Sequence, residues 1–74
     1  MDVVQVAKSA RTYLAGSKLN DVIELGLPEY KEAHWYVSLY VKTEYVGAVV
    51  FTGEGKVKAQ ETTTIRELRE AIYG

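Results

Sequence analysis

The chain has 74 residues, no cysteine, and nine basic against ten acidic side chains. A chain this short buries only about 60% of its unfolded surface, so residues 1–74 read as one small domain, and without cysteine neither disulfides nor thiolate metal sites can staple it. The near-zero net charge excludes a uniformly basic nucleic-acid binder, and no stretch approaches the roughly 20 apolar residues of a membrane span. Met1-Asp2-Val3-Val4 also lacks the basic-then-apolar layout of a secretion signal, so the expectation is a soluble, cytoplasmic protein with no membrane partner.

In chain order, Val3, Val6, Ala7, Ala10, Tyr13 and Leu14 recur at helical spacing, with Asp2 placed to cap the start and Gly16 placed to stop the run. Residues 17–33 leave two readings open. Val22 to Leu25 reads as a short strand, whereas Gly26, Pro28, Glu29 and Glu32 read as an exposed connection. Strand patterns follow over residues 35–41, 46–52 and 56–61. Thr64 and Glu67 then have capping-box spacing ahead of an apolar stripe of Ile65, Leu68 and Ile72, which predicts a second helix. The expected fold is α+β: an antiparallel meander of three strands, or four with residues 22–27, flanked by an N-terminal and a C-terminal helix in the order α-(β)-β-β-β-α.

Register decides which side chains share a face. With Thr43-Glu44 as the first loop, Val41 faces Val46, Leu39 faces Ala48 and Val37 faces Val50. With Gly53-Glu54 as a type II′ second loop, Val50 faces Val57 and Ala48 faces Ala59. Both hairpins then agree on one inner face of Trp35, Val37, Leu39, Val41, Val46, Ala48, Val50, Val57 and Ala59, which the two helices would cover. The opposite face carries Tyr36, Tyr40, Tyr45, Val49 and Phe51 beside Lys56 and Lys58, with Tyr36 opposite Phe51 and Tyr40 lying over Gly47. One helix on each face is the alternative arrangement, and it would turn this aromatic side into a second core.

An antiparallel sheet that meets water on one side usually reads as polar there. Here that side is aromatic, which points to association: contact with a protein partner or with a second copy of the chain as a homodimer. Single-stranded nucleic acid stacked on the rings and held by the lysines is the second reading. A third is structural, since aromatic cross-strand pairs stabilise a sheet without any partner. No catalytic set emerges, and the expectation is a non-enzymatic module with no cofactor and no metal. His34 is the only histidine, and Ser38 on the same face is about 13 Å along an extended strand. Asp21, Glu24, Glu29 and Glu32 match no calcium or carboxylate-histidine spacing, and Gly53-Glu54-Gly55-Lys56 lacks the rest of a phosphate loop.

From Trp35-Tyr36-Val37 through Val50-Phe51-Thr52-Gly53-Glu54-Gly55-Lys56-Val57 the chain resembles the PepSY domain, which has a helix, an aromatic-bearing strand and a strand ending in a turn with Gly-Lys-Val. Phe51 occupies a place where that family commonly has an aspartate. The resemblance implies a regulatory or inhibitory module that contacts another protein. The order helix, three strands, helix is also similar to a double-stranded RNA-binding domain. However, Thr62-Thr63-Thr64-Ile65-Arg66-Glu67 lacks the basic cluster expected at the second helix, which disfavours that activity.

Overall fold

The structure, a computed structural model, describes all residues from Met1 to Gly74. Helix α1 spans Val3–Leu14 and opens on a complete capping box: the Asp2 carboxylate accepts from the Gln5 amide, and the Gln5 side chain accepts from the Asp2 amide. A short 3-10 turn at Leu19–Asp21 follows. Arg11 ties this turn to α1 by donating to the Asn20 side chain at 2.9 Å and to the Ile23 carbonyl at 3.1 Å. Four antiparallel strands come next, β1 at Glu24–Leu25, β2 at Glu29–Lys31, β3 at His34–Val41 and β4 at Glu44–Thr52, before helix α2 at Ile65–Tyr73. The order is α-β-β-β-β-α, the expected α+β class; β1 lies within the expected strand of residues 22–27, and residues 29–31, expected as an exposed connection, form a further strand because they pair with the start of β3. Thr64 and Glu67 cap α2 reciprocally, as their spacing predicts.

The sheet is built around β3. β4 pairs with one edge along the length of β3, so β1 and β2 lie end to end on the other edge. Gly26 donates to the Ser38 carbonyl while Glu29 faces Tyr36, so Leu27 and Pro28 together oppose Val37. Residues 24–31 are therefore one edge strand interrupted by a bulge, with Pro28 at a position where a ladder donor is not required.

Register is where the structure departs from expectation. The β3–β4 loop is Lys42-Thr43, not Thr43-Glu44, with φ of 49° and 70°. The β2–β3 loop, Glu32-Ala33, is of the same kind, with φ of 52° and 65°. Two central residues at positive φ suit the twist of a hairpin, but the sequence signal for such a turn is Asn-Gly, which both loops lack. The loop shift by itself would keep the expected faces. A further irregularity reverses them: Tyr40 faces Tyr45 but Leu39 faces Gly47, leaving Val46 as an extra residue on β4. Beyond that bulge Val37 faces Val49 and Trp35 faces Phe51. Val49 and Phe51 thus belong to the core, at 0% and 1% exposure, and not to the aromatic face. Val50 stands opposite Tyr36, and Ala48 opposite Ser38, on the other side.

The expected strand over 56–61 is also revised. Gly55, at φ 95°, takes the left-handed position of a three-residue loop closed by the Thr52 amide on the Lys56 carbonyl. Only one bridge, Phe51 with Val57, follows it, and Ala59 is exposed. Threonines complete the edge instead. Thr62 Oγ1 accepts from the Val50 amide at 2.9 Å, Thr63 Oγ1 accepts from the Ala48 amide at 3.0 Å, and the Thr63 amide donates to the Ala48 carbonyl. Gly47 is required beneath them, because a Cβ there would lie 2.5 Å from Thr63 Oγ1.

Both helices cover one face of the sheet. Val6, Ala10 and Leu14 of α1 and Leu68 of α2 join Val37, Leu39, Val49 and Phe51 in a single core, with Leu19 and Ile23 closing one side. The alternative of one helix per face is thereby ruled out.

Two outcomes follow from this register. Phe51→Ala should cost about 3–5 kcal/mol in urea unfolding, most of a small domain's stability; a cost near zero would mean the ring is at the surface. Replacing Lys42-Thr43 with Asn-Gly puts a side chain that tolerates the left-handed region at position 42 and removes the β-branched one at position 43. It should raise stability by about 1 kcal/mol, read as a higher unfolding midpoint at unchanged slope.

Candidate functional site

With the helices on one side, the other side of the sheet presents His34, Tyr36, Ser38 and Tyr40 in a row along β3, by alternation of side chains. Tyr45 and Ala48 of β4 and Glu29 and Lys31 of β2 flank that row. Tyr40 and Tyr45 face each other across the strands and meet edge to face, with ring centres 6.0 Å apart at 74°. Tyr45 is 62% exposed, while Tyr36 and Tyr40 are half-buried. Gly26, not Gly47, makes room for the Tyr40 ring: a Cβ at position 26 would lie 3.1 Å from it.

Between the rings is a shallow recess of about 300 Å³. Ser38 and Ala48 line it at the small positions, and Glu29, Lys31, Tyr36 and Tyr45 line it with larger side chains. The Lys31 ammonium stands 5.8 Å from the centre of the Tyr36 ring, within cation–π range. This gives the recess an aromatic wall, a cation and a carboxylate within one strand pair.

Of the seven residues expected to form the site, Tyr36, Tyr40 and Tyr45 stand together on this face. Val49 and Phe51 do not, for the reason given by the bulge. Lys56 and Lys58 flank Val57 on the far side of β4, and Lys56 is exposed. Lys58 is engaged: its ammonium pairs with Glu61 at 2.7 Å and approaches His34 Nε2 at 3.3 Å, so its side chain reaches across β4 beside Val50. His34 Nδ1 lies 2.8 Å from the Glu32 carbonyl, which fixes the proton on Nδ1 and turns the Nε2 lone pair toward Lys58. This end of the face is closed by its own side chains. The sequence reading missed Glu29, Lys31 and Ala48. The first two lie on an edge strand interrupted by Pro28, and Ala48 changes face with the bulge.

Chemically the face is suited to contact. No group of three or more histidine, aspartate and glutamate side chains is arranged to hold a metal ion. His34 is occupied by Glu32 and Lys58, and no hydrogen bond joins it to Ser38. No family model matches the chain, and no curated protein or solved structure matches it either.

The hydrogen bond from Lys58 holds the Glu61 carboxyl below the usual glutamate range, and the positive charge of Lys58 adds to this. A depressed carboxyl contributes stability above its unfolded value and loses it as the pH falls through the folded one, so this pairing weakens only in acid. In Lys58→Met, Glu61 should titrate nearer the ordinary glutamate value, as followed by NMR of the side-chain carboxyl. An unchanged titration would show that Lys58 is not its partner in solution.

Proposed function

We propose that this chain is a non-enzymatic binding or regulatory module that contacts protein, another chain or a second copy of itself, through Tyr36, Tyr40 and Tyr45. The observation that carries this is the placement of both helices on one side of the sheet, which leaves the tyrosines uncovered. Tyrosine combines a large area with a polar tip and loses little conformational freedom, so it is enriched where one protein meets another. A recess floored by Ser38 and Ala48 can accept one side chain of a partner, with Lys31 and Glu29 giving polar contacts at its rim. The resemblance of residues 35–37 and 50–57 to the PepSY domain points the same way.

Nucleic acid fits this surface less well. Glu29 stands opposite Tyr36, Glu24 stands opposite Tyr40, and Glu61 neutralises Lys58. A phosphate backbone laid along the rings would meet as many carboxylates as cations, and such binding draws most of its energy from neutralised phosphates.

Sedimentation over a concentration series tests the self-associating form. The mass should rise with concentration, and Tyr36→Ala with Tyr45→Ala should weaken association about tenfold or more while leaving the unfolding midpoint nearly unchanged. A strictly monomeric chain removes the homodimer and leaves contact with a different protein. Salt-dependent binding of a single-stranded oligonucleotide, lost in Lys56→Ala with Lys58→Ala, would transfer the face to nucleic acid.

A further inference from the structure

The two edges of the sheet are treated differently. Along β4 the amides of Ala48, Val50 and Thr52 are all taken, by Thr63, Thr62 and Lys56. Along β1 the outward groups have no partner. Gly26 donates to Ser38, and backbone groups of an antiparallel edge strand alternate in direction, so the amide and carbonyl of Leu25 point away from β3. Leu27, the next residue but one, makes no hydrogen bond and is 78% exposed. Exposed edges are normally blunted by charge, by proline or by a covering element. Pro28 does not do this here, because the free groups belong to Leu25 and Leu27.

Beside this edge runs the largest concavity of the molecule, a groove of about 860 Å³ between β1 and the flank of α1. Val3, Val4, Ala7 and Lys8 supply its helical wall, adjoining the core stripe of Val6, Ala10 and Leu14, and Leu27 and Pro28 supply the other. Val4 is 63% exposed, so apolar surface lies open on both walls. The charges of the groove have one sign: Lys8 and Arg11 line it and no carboxylate does. Arg11 is committed to Asn20 and Ile23, whereas the ammonium of Lys8 is in no ion pair.

We propose that this edge and groove form a second docking site, separate from the tyrosine face, which takes an extended acidic peptide as an added strand. Free backbone groups on Leu25 and Leu27 match the two-residue repeat of a strand, and a helix would leave them unpaired. Alternate apolar side chains of the peptide would lie against Val4, Ala7 and Leu27, with a carboxylate reaching Lys8. A second copy pairing edge to edge would bring its own α1 to the same side of the sheet, setting Lys8 and Arg11 against their equivalents, so charge favours a different chain.

Selection of a random peptide library displayed on phage against the intact chain tests this, with counter-selection on the Val4→Asp, Leu27→Asp variant. Both replaced residues are largely exposed, and retained thermal unfolding confirms that the variant folds. Enriched peptides should carry Asp or Glu among alternating apolar residues. A synthetic peptide from the selection should lose binding when its alternate amides are N-methylated, and should bind about tenfold more weakly to Lys8→Glu. Amide hydrogen exchange at Leu25 and Leu27 should slow in the complex, and Tyr36→Ala with Tyr45→Ala should not alter binding. Enrichment no greater than on the variant, indifference to Lys8→Glu, or protection falling on the tyrosine face would each overturn the site. Protection of Leu25 and Leu27 that rises with protein concentration alone would overturn it in favour of a second copy.

Discussion

Leu39 faces Gly47 and, one residue on, Tyr40 faces Tyr45, so Val46 has no partner of its own on β3, and the faces of β4 are set by that unpaired residue. Without it, Val46, Ala48 and Val50 would turn toward the helices. With it, Val49 and Phe51 do, which puts the phenyl ring, the largest fully buried side chain, in the core opposite Trp35. For a domain of this size that burial matters, since total stability is only a small surplus over conformational entropy. Gly47, beside the bulge, then lets Thr63 approach the sheet, and Thr63 in turn positions the start of α2.

The same constraint shapes the outer face. Once Phe51 is withdrawn, the surface loses its apolar centre and keeps a tyrosine-lined recess with small residues at its base. It is a more polar object than a sheet of aromatic rings, which favours a protein contact with hydrogen bonds at the rim over a dry hydrophobic interface. Lys58 and His34 close one end, so the open part is confined to Tyr36, Tyr40, Tyr45 and their neighbours. The edges complete the picture: threonine side chains satisfy the β4 side, while the broken strand of residues 24–31 leaves the other side with free backbone groups next to exposed apolar residues. The domain thus exposes two chemically distinct surfaces.

The parts of the fold that were legible in sequence are the ones governed by local rules. Val6, Ala10 and Leu14 share a helical face, and Thr64 with Glu67 sets the start of α2, because capping and periodicity act within a few residues. The β3 alternation was equally readable, which is why Tyr36 and Tyr40 stand where expected. The β4 positions were not. Two hairpins agreed on a common inner face, yet each had its loop misplaced: the first turns at Lys42-Thr43, in left-handed conformations that those side chains do not advertise, and the second is a three-residue loop that ends on Gly55 at positive φ. Agreement between two registers that share a strand is weak support when one inserted residue reverses that strand for both.

The sequence by itself determined the α+β class, the two capped helices, the strand that begins near residue 35 and the placement of Tyr36 and Tyr40 on one side of it, because each follows from propensity and period over short distances. Tertiary structure alone decided the bulge at Val46, the replacement of a final strand by threonine contacts, and the gathering of both helices onto one face. Those depend on which of several registers buries the most apolar surface while pairing the amides of β3 and β4, a comparison made over the whole core that no local pattern of residues encodes.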